Sequence, residues 1–185
     1  MFGSTKPLRT LNVYDKGSTY TILDTDDATL LYTVRWNANS APHMTVFHAD
    51  DRNKIAGTAT YHATKKFGFS TASNITLKLP SGTVSMNKEG GLFSTDKRTL
   101  RSAGLGEVYW KGGYSETGFM KLVDGNGKSL VEYKDMRMSM KTMGILEINV
   151  ELGQEGLDEV VVSGIAMLSE ERTSMSATGA AMSQS

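Results

Sequence analysis

The residues best suited to chemistry in this chain are few, and their spacing brings little together. His43, His48 and His62 are the only histidines. On one extended strand positions 43 and 48 face opposite sides, so they cannot share a metal ion without distortion. They read as surface or strand-end residues. Gly113-Tyr114-Ser115-Glu116-Thr117-Gly118 approximates the turn that exposes a nucleophilic serine. A second residue intrudes before the closing glycine, however, and a strand candidate rather than a helix follows. Ser115 is therefore not expected to support hydrolysis. Asp124 to Asp135, DGNGKSLVEYKD, opens like a calcium loop, but Lys128 falls where a ligand is needed, Ser129 where the turn glycine belongs and Asp135 where a bidentate glutamate is usual. A hairpin is the better reading. Met136, Met138, Met140 and Met143 offer soft thioethers of a kind that suits Cu(I). Adaptable packing of unbranched side chains on a half-buried strand explains the same pattern and is preferred. With no cysteine, no disulfide, thiolate nucleophile or thiolate metal site is available. No enzyme activity, metal or cofactor is expected.

Cationic side chains are the remaining candidates. Lys65 and Lys66, then Lys97, Arg98 and Arg101, form two clusters that suit anionic lipid headgroups, at about 1 kcal/mol per charge close to a charged membrane. The reading requires a fold that brings these segments to one rim. Twenty basic residues balance 20 acidic ones, which argues against nucleic acid, where affinity rests on excess positive charge. The balance is uneven along the chain: residues 1–77 hold 8 basic and 6 acidic, residues 78–146 hold 11 and 7, and residues 147–185 hold 1 and 7.

The elements that would position these groups are mostly strands. A length of 185 residues fits one domain with a sizeable core. Residues 1–7 read as a flexible terminus without an apolar signal region, so an intracellular, cytoplasmic protein is expected, peripheral at membranes if lipid is its partner. The sequon Asn74-Ile75-Thr76 is then an unmodified strand segment. The longest apolar run, Val160 to Leu168, is too short to span a bilayer. From Leu8 onward, period-two segments alternate with turns. Asp15-Lys16-Gly17 separates Leu8–Tyr14 from Ser18–Asp24, and Thr29–Asn37 places Leu30, Tyr32, Val34 and Trp36 on one face. His43–Ala49 follows, then Lys54–His62 with Ile55, Gly57, Ala59 and Tyr61 together. Those small residues imply a close approach from inside. Further segments run 65–70 and 73–79. Residues 87–104, NKEGGLFSTDKRTLRSAG, read as a long surface loop insertion. Order resumes at 105–111 and 118–123, Asp124-Gly125-Asn126-Gly127 gives the strongest hairpin signal, and 144–152 is the last strand. About a dozen strands with turns every 8 to 12 residues fit a sandwich or a barrel.

One segment departs from this rhythm. Leu157 to Arg172, LDEVVVSGIAMLSEER, is apolar on every side. Val160-Val161-Val162 would suit a strand, but Asp158 and Glu159 suit a helix start and Leu157, Val160, Val161, Gly164, Ile165 and Leu168 share helical spacing, so a helix is the preferred reading. Such a helix must be enclosed. The tail 173–185 reads as disordered.

YTVRWN (32–37), GTATYH (57–62), VYWKGG (108–113), FMKLVDGNGKSLVEY (119–133) and LEINVE followed by LDEVVVSGIAML together resemble the fungal tubby C-terminal-like domain family of unknown function, over residues 8–172. In the tubby, phospholipid-scramblase and LURP-one-related relatives this fold is a closed antiparallel β-barrel of about twelve strands around a buried C-terminal hydrophobic helix. The resemblance implies that fold and a non-enzymatic binding or scaffold module, engaging anionic phospholipid such as a phosphoinositide, or a protein partner. A small hydrophobic-ligand carrier and an uncharacterised enzyme are the alternatives.

Overall fold

The computed structural model describes residues 6–37, 39–49, 51–66, 69–89, 97–112, 119–136 and 142–182, and of residues 63–66, 69–73, 89 and 170–182 it describes the backbone only. Among the described residues are twelve strands: β1 (Arg9–Asp15), β2 (Thr19–Leu23), β3 (Leu30–Trp36), β4 (Met44–His48), β5 (Ile55–Lys66), β6 (Phe69–Leu79), β7 (Gly82–Glu89), β8 (Lys97–Ser102), β9 (Gly106–Lys111), β10 (Phe119–Asp124), β11 (Ser129–Asp135) and β12 (Thr142–Ile148). Each pairs antiparallel with its neighbour in chain order, and β1 closes the ring on β12. The expected closed barrel of about twelve strands is the observed architecture. The hairpin reading of Asp124–Asp135 also holds: Asp124 accepts hydrogen bonds from the amides of Asn126 and Lys128, both at 2.9 Å, and β10 pairs with β11.

A helix, α1 (Gln154–Met182), runs up the lumen. Every residue from Leu157 to Ser169 is buried. Its contacts circle the helix as the strands circle the barrel. Asp158 meets β3 and β4, Val162 meets β5, Glu159 meets β8, Ser163 meets β9, and Gly164 lies against Trp110 of β9 and Leu146 of β12. At about 100° per residue, that order requires a helix enclosed on all sides. The β-branched triplet does not become a strand because a closed ring leaves no ladder partner, whereas a helix satisfies its backbone internally in a dry lumen.

Close approach explains the small residues. A Cβ on Gly57 would lie 2.9 Å from Val162 and from Leu79, and a Cβ on Gly164 would lie 3.2 Å from the Trp110 ring. The inward face of β5 differs from the expected alternation at one position. Val46 pairs with Gly57 and Phe47 with Ile55, so Ala56 is an extra residue and the parity reverses there. Ile55 consequently points outward, 48% exposed.

Other boundaries also need correction. The expected loop over 87–104 contains the end of β7 and all of β8; only 90–96 lie outside the described residues. The alternation was hidden because Arg98 occupies an inward position beside Leu100 and Ser102, while Lys97, Thr99 and Arg101 face out. Residues 55–66 and 69–79 form one long hairpin rather than three segments, and β12 ends at Ile148. The helical backbone continues through the expected disordered tail to Met182. Extension of a helix already nucleated in the lumen costs little per residue, and Ala177, Ala180 and Ala181 favour it.

Candidate functional site

Two polar regions stand out, one at each end of the barrel. At the mouth where α1 enters, the second helical turn carries Asp158 into a ring of donors. Its Oδ1 accepts from the Tyr32 hydroxyl at 2.7 Å and from Gln154 Nε2 at 2.7 Å, and its Oδ2 lies 3.2 Å from His48 Nε2. Gln154 Nε2 is also 3.0 Å from the Tyr32 hydroxyl. Burial, and then the adjoining Asp158 carboxylate, hold the Tyr32 phenol far above its usual range, so it stays protonated and donating. The next residue, Glu159, has a different environment. Its Oε2 accepts from Ser102 Oγ at 2.8 Å, and Oε1 has no hydrogen-bond partner among the described residues. Burial raises its carboxyl above the ordinary value, opposed by the Ser102 hydrogen bond. On the rim, Arg9 forks onto Asp24 at 2.8 and 2.6 Å. That pairing is the main reason the Asp24 carboxyl is lowered and the Arg9 guanidinium raised. Beside it, Leu8, Ile148, Val150, Leu152 and Leu157 line an open groove of about 320 Å³. The donors and acceptors of the Asp158 ring satisfy one another, and their evident work is to fix α1 in register.

His48 was expected to be an ordinary strand-end residue; it is instead a partner of a buried carboxylate. The other two histidines lie elsewhere. His43 Nδ1 accepts from the Tyr61 amide at 3.1 Å, and His62 Nε2 lies 2.9 Å from Thr76 Oγ1. Gly113–Gly118 and residues 137–141 of the methionine stretch lie outside the described residues.

The second region is on the outer face, toward the opposite end. Strand register places Lys97 of β8, Lys111 of β9 and Lys121 of β10 side by side, followed by Glu132 of β11 and Glu147 of β12. With strands about 4.8 Å apart, the three lysine positions span roughly 10 Å. Lys97 Nζ sits 4.4 Å from the centre of the Tyr109 ring, and Lys121 Nζ is 2.9 Å from Glu132 Oε1. Lys111, between them, is exposed.

Of the residues expected to bind lipid, Lys97 belongs to this row. Arg101 is on the same face of β8, roughly 13 Å further along the strand, exposed and 3.9 Å from Glu107. Arg98 does not belong to any rim, because its side chain is buried on the inner face, 2% exposed. Lys65 and Lys66 end β5 at the same end of the barrel as Lys97, three strand positions around the ring, and their side chains lie outside the described residues. Lys111 and Lys121 were missed. Each is a lone lysine in a strand, and only the register aligns them.

Among the described residues, no group of three or more histidine, aspartate or glutamate side chains is placed to hold a metal ion, and no helix is long and apolar enough to cross a membrane. No family model, no curated protein and no solved structure matches the chain.

Proposed function

We propose that this chain is a non-enzymatic binding module of tubby-like type whose outer surface engages anionic phospholipid, with Lys97, Lys111 and Lys121 meeting the headgroups. The observation that carries the reading is the lysine row, three cations aligned across neighbouring strands in a chain of zero net charge. Near an anionic surface a lysine is worth about 1 kcal/mol, and Lys121 must first exchange its Glu132 partner for a headgroup. The occupied lumen supports an outer-face function: a carrier would need the space that Leu157 to Ser169 fill. The mouth network supports a structural role for the buried acids, since the Asp158 oxygens already face Tyr32, Gln154 and His48.

The test is sedimentation with phosphatidylcholine vesicles with and without phosphatidylserine and a polyphosphoinositide. Wild type should bind the anionic vesicles, more weakly as salt screens charges beyond about 8 to 10 Å. Lys97→Glu with Lys111→Glu should lose most of that binding while melting normally. Arg98 is left unchanged, because its replacement would disturb the interior. Equal binding by wild type and the double variant removes the row as the site, and wild type that ignores anionic vesicles at low salt removes the lipid reading.

A further inference from the structure

We propose that the barrel seats itself on the membrane in one orientation, with Phe119 and Met136 entering the bilayer interface and the mouth facing away. This rests on the lipid reading above and adds an apolar anchor to it. Phe119 is 47% exposed and Met136 43% exposed. Register places Phe119 opposite Lys134, and Met136 lies two residues beyond Lys134, so all three share the outer face. Diagonal neighbours on adjacent strands are about 7 to 8 Å apart, within reach of long side chains. The amide of Met136 bonds to the Met143 carbonyl at 3.2 Å, which holds this residue at the end of the ladder.

The setting is what distinguishes the pair, since single exposed apolar residues are ordinary. The other two exposed large apolar residues among the described ones, Leu8 and Ile55, belong to the mouth end, just before β1 and at the start of β5, four strand positions apart. Phe119 and Met136 are on neighbouring strands at the opposite end. Lys121 lies two residues behind Phe119 on the same face, and Lys111 and Lys97 continue sideways from it. An apolar tip backed by lysines matches the boundary of an anionic bilayer, where aliphatic stems lie along the acyl region and ammonium groups reach the headgroups.

The test uses the full chain. The emission that a Phe119→Trp variant adds to that of Trp36 and Trp110 in wild type should shift to the blue with anionic vesicles and be quenched by lipids brominated on the acyl chains. Phe119→Ala with Met136→Ser should bind those vesicles about tenfold more weakly, in line with the apolar area withdrawn from water, while Leu8→Ala at the mouth should bind as wild type does. All three variants are first checked by thermal melt. Vesicle binding that persists with an unshifted, unquenched Phe119→Trp indole overturns the insertion and leaves the charge reading standing. No binding by wild type overturns both, and Phe119-dependent capture of an acidic protein without vesicle binding overturns the lipid occupant.

Discussion

At the mouth of the barrel, Asp158 is surrounded by Tyr32, Gln154 and His48, and Arg9 is clasped by Asp24; at the opposite end Phe119 and Met136 are half-exposed and Lys111 faces outward. The two ends direct their polar groups differently. Polar atoms buried with α1 need partners, since each buried group left without one costs about 1 to 3 kcal/mol. On the outer face Lys111 is exposed, where a charge stays hydrated. The first arrangement suits holding a helix in place, and the second suits meeting a surface.

The largest effect expected at the mouth-to-lumen side is loss of folding. Ile165→Asp and Val161→Asp each place a carboxylate where the wild-type side chain is fully buried, at a cost of several kcal/mol. Neither should give a soluble, cooperatively melting protein, and a folded Ile165→Asp variant would show that α1 is not the core. Asp158→Ala comes next. It deprives the Tyr32 hydroxyl and His48 of their acceptor and should cost about 3 kcal/mol in a urea melt; a cost within 0.5 kcal/mol of zero, the range of about ordinary surface changes, would show that the ring is decorative.

Glu159→Gln should act in a pH-dependent way. The folded protein holds the Glu159 proton more tightly than the unfolded chain, whose value is 4.5. The associated stability is fully present below that value and is lost as pH rises through the higher folded value. Thermal melts from acid to neutral pH should therefore show wild type declining relative to Glu159→Gln as pH increases. Parallel curves would mean that the buried carboxyl is not shifted. The smallest stability effect belongs to Lys111→Glu, expected within about 0.5 kcal/mol of wild type because the residue is exposed. A large loss there would place Lys111 in the structural half of the comparison.

Much of the fold was legible because alternation and turn chemistry are local. Asp124-Gly125-Asn126-Gly127 marked its hairpin, and the small residues of β5 pointed to a close approach from inside, which α1 makes at Gly57. What escaped depended on partners distant in sequence. The alternation of β8 was obscured by inward Arg98, and the reversal at Ala56 arises from pairing with β4. His48 acquires its meaning from Asp158, 110 positions later, which strand spacing cannot reveal. The lysine row is likewise a property of register across β8, β9 and β10, so the paired basic residues conspicuous in sequence identified one of its members, Lys97.

Lysine acetylation footprinting on anionic vesicles, read by mass spectrometry, tests the outer-face assignment most directly. Lys54 and Lys128 serve as references, since both are exposed at the mouth end. Lys97, Lys111 and Lys121 should become protected when vesicles are added, with Lys54 and Lys128 labelled as in the free protein. Protection of Lys54 and Lys128 with continued labelling of Lys111 would contradict the assignment and turn the barrel the other way.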